Sequence, residues 1–183
     1  MERFARLMLR TAGWRLVDPA HPRDKYVAIF YPHTSNWDFV LGLLAAWGLR
    51  VELAFLAKHS LFEGPWGRLF RAVGGIPVHR GAKDNLVQQV VELLERRERV
   101  VLAIAPEGTR GKTDRWKSGF YHIALQAKLP VALGFIDART RTIGIGPLVE
   151  LTGDPAEDLA VIRAFYADKE GIRQENAGTI ALR

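Results

Sequence analysis

His33 and Asp38 stand five positions apart in Pro32-His33-Thr34-Ser35-Asn36-Trp37-Asp38, between a strand-like run and an apolar helical one. Histidine is the side chain best poised to move a proton near neutral pH. A carboxylate on one ring nitrogen fixes its tautomer and stabilises the imidazolium. Residues five apart do not share a face of a regular helix, so the pairing requires His33 in the turn and Asp38 reaching back from the first helical turn. The same residues also suit an ordinary first-turn acid favoured by the helix dipole, beside a loop histidine. A second group, Ala105-Pro106-Glu107-Gly108-Thr109-Arg110-Gly111, again follows an apolar run. Its glycines allow tight backbone, and Arg110 can grip a carboxylate or phosphate through two parallel N–H bonds. Lys112, Arg115 and Lys117 follow closely, so a solvated basic loop is the plainer alternative. In a third group, Gly74-Gly75-Ile76-Pro77-Val78-His79-Arg80-Gly81, Arg80 ends a short strand where it could meet a phosphate, or is a surface arginine after a turn.

The elements that must position these groups alternate in type. Apolar stretches at Tyr26–Tyr31, Val51–Ala57, Val100–Ala105 and Val131–Ile136, with weaker ones at Gly75–Val78 and Thr142–Leu148, read as strands. Helical patterns fill Asn36–Leu49, Leu61–Val73, Asp84–Arg97 and Ser118–Lys128, with Asp84 able to cap the third. Asp154-Pro155-Ala156-Glu157 has the form of a capping box with Pro at the first helical position. This order predicts a single α/β domain, a central and mostly parallel sheet flanked by helices. In such folds ligands sit at the carboxyl ends of the strands, where the first two groups fall. Trp47 and Trp66 read as core. Ahead of the strands, Phe4, Leu7, Met8, Thr11 and Trp14 line one helical face and Arg3, Arg6, Arg10 and Arg15 occupy the rest. That amphipathic N-terminal helix suits an anionic membrane interface, or equally a helix packed on the domain with solvated arginines.

Composition removes other possibilities. The 183 residues suffice for one domain that buries a core without staples, and 48% hydrophobic with 25% charged residues is ordinary for a globular chain. Without cysteine there can be no disulfide framework, thiolate zinc site, iron–sulfur cluster or cysteine nucleophile. The net charge of +6 favours an anionic partner. No apolar run reaches the roughly 18–20 residues of a membrane span, and no signal-peptide cleavage pattern opens the chain, so a cytosolic protein is expected. Gly111-Lys112-Thr113 imitates the end of a P-loop, but Pro106 stands where that motif needs a glycine amide. Ser35, Ser60 and Ser118 lie outside any G-x-S-x-G. His21, His59, His79 and His122 lack spaced carboxylates, and nothing in the chain accompanies its charge with a nucleic-acid-reading motif.

Taken in order, the groups resemble the glycerolipid acyltransferase family, which includes the 1-acylglycerol-3-phosphate acyltransferases. The likeness rests on His33…Asp38 as H-x4-D, on Gly75-Ile76-Pro77-Val78-His79-Arg80, on Glu107-Gly108-Thr109-Arg110 as E-G-T-R, and on Leu129-Pro130-Val131-Ala132. Pro32 and Ala105 depart from the Asn and aromatic residue often found there. The resemblance runs from about Tyr31 to Ile136 and implies that 16–183 is an acyltransferase domain, preceded by the amphipathic segment over 1–15. His33 would be the general base on an acceptor hydroxyl and Asp38 its orienting carboxylate. Arg80 and Arg110 would hold the acceptor's phosphate, with Glu107, Gly108 and Thr109 shaping that pocket. The implied reaction moves a fatty acyl group from acyl-coenzyme A or acyl carrier protein to a lysophospholipid hydroxyl. It needs no metal or resident cofactor, and would take place at the inner face of a membrane with an anionic surface. Two alternatives stay open: the same chemistry on a non-glycerophosphate lyso-lipid, and a non-catalytic basic protein that docks on membranes.

Overall fold

The computed structural model describes residues 1–18, 24–78 and 86–183. His21, His79, Arg80 and Asp84 lie outside the described residues. Chain order is α1 (Glu2–Thr11), β1 (Arg15–Val17), β2 (Lys25–Tyr31), α2 (Trp37–Gly48), β3 (Leu53–Lys58), α3 (Gly67–Ala72) and β4 (Gly75–Val78). It continues through α4 (Leu86–Glu95), β5 (Val100–Ile104), α5 (Gly119–Ala127), β6 (Val131–Asp137), β7 (Thr142–Val149) and α6 (Pro155–Tyr166). The strands form one seven-stranded sheet in the order β1-β7-β6-β2-β5-β3-β4. Every pairing is parallel except that of β6 with β7. The expected α/β architecture is therefore present.

The connections decide which helix covers which face. From β2 through β3 to β4 the chain moves toward one edge of the sheet, and from β4 through β5 to β6 it moves back. Right-handed crossovers then put α2 and α3 on one face and α4 and α5 on the other. Packing agrees: α1 lies along α2, and α4 along α5. β2, β5 and β6 sit at the centre, covered on both sides, which is why they read as unbroken apolar runs. The larger core gathers Ile29, Leu102, Trp116, Phe120, Leu133 and Ile162 on the α4–α6 face.

Four sequence expectations need correction. The helix expected over Leu61–Val73 shrinks to a 3₁₀ turn at His59–Leu61 and the six residues of α3. Gly64-Pro65 explains the break, since a residue before proline is driven out of the helical region, and a side chain at Gly67 would strike the Phe62 carbonyl at 2.2 Å. Trp66, taken as core, is 67% exposed as a result, and Trp47 is only half-buried. In α1, the face packed against Leu41 and Ala45 is that of Ala5 and Leu9, while Phe4, Leu7 and Met8 remain exposed. Small residues set this orientation: a side chain at Gly48 would lie 2.6 Å from Leu16 and 3.5 Å from Arg6, so α1 seats its small face on the close-approaching α2. At α6, Asp154 accepts a hydrogen bond from the Ala156 N–H at 2.8 Å as a cap should. The return bond of the expected capping box is not made by Glu157: the Asp154 N–H donates to Thr152 Oγ1 at 3.1 Å, and the buried acid of the turn, Asp158, accepts from the Thr152 N–H and the Tyr121 hydroxyl. β1 escaped the sequence reading because three residues carry no detectable alternation.

Candidate active site

β2 runs into the site through Tyr31 and a cis peptide to Pro32. The chain then turns through His33–Asn36 and enters α2, which places Asp38 in the first helical turn as the spacing required. The Asp38 carboxylate is buried and works backward along the loop: Oδ2 accepts the N–H groups of Thr34 at 2.6 Å and Ser35 at 2.7 Å. Ser35 Oγ accepts the Trp37 N–H at 3.3 Å, tightening the same turn. His33 Nδ1 lies 3.4 Å from Asp38 Oδ2, its ring mostly covered while the Asp38 side chain is fully so. Neither His33 Nδ1 nor Asp38 Oδ1 has a hydrogen-bond partner among the described residues. The two atoms left unpaired belong to the two groups a base and its orienting carboxylate would bring together, and such bonds often lengthen in the absence of substrate.

Glu107 arrives from the carboxyl end of β5, the strand beside β2. It is 2% exposed. One carboxylate oxygen accepts the His33 N–H at 2.7 Å, and the other accepts the Gly178 N–H at 2.7 Å. Glu107, expected among the substrate contacts, is thus turned into the protein and ties the His33 loop to the C-terminal segment. Burial is the strongest influence on its carboxyl and raises its pKa, while the two N–H donors pull the other way.

That C-terminal segment is the part of the site the sequence reading missed. After α6 the chain crosses back over the carboxyl ends of the strands. The Arg173 N–H donates to Thr34 Oγ1 at 3.1 Å, and the Tyr31 hydroxyl donates to the Gly178 carbonyl at 2.9 Å. The Thr179 N–H donates to Thr113, and Trp116 exchanges main-chain bonds with Ala181 and Arg183. Close approach demands glycine at two points: a side chain at Gly171 would lie 2.7 Å from Thr34 Oγ1, and one at Gly178 3.0 Å from Glu107 Oε1. Those two glycines, in a tail of mixed composition without a period, were the sequence signal, and a weak one. Beneath the strap, Trp116 packs on Tyr31 with ring centroids 5.1 Å apart, which fixes the base of the loop.

Past Glu107 the backbone turns outward. Gly108 adopts φ +66°, and Lys117 lies against it closely enough that an added Cβ would sit 2.6 Å from its side chain. Thr109 Oγ1 accepts the Gly111 N–H at 3.2 Å, so this hydroxyl closes the loop on itself. Gly108, Thr109 and Arg110 are exposed, and Arg110 forms no hydrogen bond or ion pair with a described residue. The structure therefore joins His33, Asp38 and Glu107 in one bonded unit and leaves Arg110 reaching into solvent from the same loop. Gly108→Ala is expected to destabilise the fold by about 1–2 kcal/mol, lowering Tm by roughly 2–8 °C, because a Cβ disfavours left-handed backbone. A thermal melt checks this; an unchanged or higher Tm would mean the loop relaxes freely.

A histidine 3.4 Å from a buried carboxylate thus stands at the carboxyl ends of a mostly parallel sheet in an α/β domain, and comparison with known proteins says to which family the chain belongs. Residues 18–132 match the acyltransferase family model, more than half of the chain, and the chain belongs to that family. A 1-acyl-sn-glycerol-3-phosphate acyltransferase of Cocos nucifera is 31% identical over 94 residues. Those residues are 48% of this chain but only 30% of that protein, so the chain spans well under half the length of this relative. The crystal structure of the 1-acyl-sn-glycerophosphate (LPA) acyltransferase PlsC from Thermotoga maritima superposes with a TM-score of 0.63, covering 91% of this chain and 76% of that one. At 16% identity that likeness speaks for the fold.

Proposed function

We propose that this chain transfers a fatty acyl group from acyl-coenzyme A or acyl carrier protein to the hydroxyl of a lysophospholipid such as 1-acylglycerol-3-phosphate. The observation that carries this is the His33–Asp38 pair, 3.4 Å apart on a loop braced by Glu107. His33 Nε2 takes the acceptor's hydroxyl proton as its oxygen attacks the thioester carbonyl. The tetrahedral intermediate collapses to the new ester, the carbon–sulfur bond breaks, and the imidazolium returns the proton to the departing thiolate. Asp38 holds the imidazole in the tautomer that leaves Nε2 free and stabilises the imidazolium. No covalent acyl-enzyme is required, which suits a chain without cysteine. The acceptor class is favoured by the likeness to the 1-acyl-sn-glycerol-3-phosphate acyltransferase of Cocos nucifera.

Arg110 is the proposed phosphate grip, exposed and unengaged at the end of the Glu107 loop, with Arg80 as its expected companion. Arg110→Ala is expected to raise KM for a phosphate-bearing acceptor about ten-fold, the low end for a charge-assisted bond, with a smaller change in kcat. Steady-state kinetics in varied lysophosphatidate decide it: an unchanged KM would remove the phosphate grip from the account.

The lipid nature of both substrates places the reaction, in this reading, at the inner face of a membrane. No helix among the described residues is long and apolar enough to cross one. Support for surface attachment comes from α1, where Phe4 and Leu7 are 58% and 57% exposed beside the exposed Arg3 and Arg10. Such a face would lie in the headgroup layer of an anionic bilayer.

A further inference from the structure

Ten large apolar side chains are exposed among the described residues, and all but Val161 lie on α1, α2 or the connection from β3 to β4. These elements share one face of the sheet. The opposite layer, α4 to α6, hides its large apolar side chains apart from that single valine. The β3–β4 connection read in sequence as one helix with Trp66 in the core, and its exposure is what the structure adds. It exposes Leu61 at 44%, Trp66 at 67% and Leu69 at 54%. Trp66 and Leu69 are three residues apart and so point to one side of α3. Arg68 and Arg71 occupy the rest of its exposed arc, the Arg71 guanidinium resting 5.3 Å from the Phe62 ring centroid at the surface. The sole acid between Lys58 and Ala72 is Glu63, which faces His59 at 2.9 Å. Apolar and basic groups interleaved without a free acid fit an anionic lipid surface better than an apolar protein partner.

Position strengthens the argument. The His59–Leu61 turn follows the carboxyl end of β3, and Trp37, itself 66% exposed, follows the carboxyl end of β2 next to His33. We propose that the Leu61–Arg71 connection is a second lipid anchor, separate from α1. Trp66 and Leu69 enter the headgroup boundary of an anionic bilayer, and Arg68 and Arg71 meet its phosphates. With α1 as the first anchor, the molecule would rest on two points of one face with the His33 loop at its rim. This rests on the lipid reading of the function, but its test reads binding and not turnover, so failure of one leaves the other standing.

The experiment is co-sedimentation of the full chain with vesicles of phosphatidylcholine, with and without phosphatidylglycerol. The double variant Trp66→Ser/Leu69→Ser should partition roughly ten-fold more weakly while melting as the parent does, because both side chains lie outside the core. Arg68→Glu should weaken binding several-fold on phosphatidylglycerol vesicles and leave phosphatidylcholine vesicles unaffected. A double variant that binds like the parent overturns the proposal. So does a parent that self-associates without lipid and loses this in the double variant, because the face would then belong to a second copy. Should the double variant fold poorly, quenching by brominated lipid is compared between the parent and Trp66→Phe. A Trp66 signal that brominated lipid quenches supports the anchor, and an unquenched one overturns it.

Discussion

His33→Ala is expected to reduce acyl transfer by roughly 10²–10⁴-fold, the range that positioned proton transfer contributes, while leaving the fold intact. The side chain makes no hydrogen bond with a described residue; its main-chain N–H, not its ring, anchors the loop to Glu107. Asp38→Asn should be nearly as damaging for a different reason. Oδ2, which accepts the Thr34 and Ser35 N–H groups, is also the atom that faces His33 Nδ1, so an asparagine oxygen kept there by the loop still meets the ring but no longer carries the charge that would stabilise the imidazolium. Rates of thiol release for the two variants, each with a parent-like melt, are the check. A His33→Ala variant that retains more than about a tenth of the parent rate would remove it from the role of base.

Glu107→Gln is expected to impair both stability and turnover, although the side chain reaches no substrate. A carboxylate can accept from the His33 and Gly178 N–H groups at once, whereas an amide can accept from only one and turns its own N–H at the other. One buried donor then loses its partner, at a cost of about 1–3 kcal/mol, or roughly 2–12 °C in Tm. The His33 loop and the C-terminal strap also come apart, so kcat should fall while KM changes little. The pH behaviour separates this from a generic core defect. Burial raises the Glu107 pKa in the folded state, so parental stability declines as pH climbs from the ordinary glutamate range through the raised value. The Gln variant lacks that component, so the stability gap between the two proteins should narrow with rising pH. Chemical denaturation of both across that window measures it; a gap that widens would mean the ionised carboxylate is net stabilising at this place.

What the sequence displayed were features with a period or a spacing. The central strands announced themselves because burial on both faces leaves no room for polar residues, and His33 with Asp38 because the five-residue offset has one workable geometry, turn followed by first helical turn. The hidden features were those that depend on tertiary partners. Glu107 looked like a pocket residue because nothing local says that its two N–H donors are Gly178, 71 positions away, and His33, 74 positions away. The strap from Gly171 onward has no periodicity, since its main-chain groups bond to loops and not to a ladder. Trp66 looked like core because aromatic residues usually are; Gly64-Pro65 shortened the helix that would have buried it. In α1 the stripe read from Phe4, Leu7 and Met8 lies exposed while Trp14 falls beyond the helix, and which flank meets the domain was decided by the small residues of α2.

The most direct test of the central claim uses palmitoyl-coenzyme A, lysophosphatidic acid and a thiol-reactive dye. The protein contains no cysteine, so every thiol detected comes from the coenzyme. The account predicts thiol release that depends on the acceptor and is matched by new phosphatidic acid. Release at the same rate without acceptor would contradict it, because water and not a lipid hydroxyl would then be the group that His33 activates.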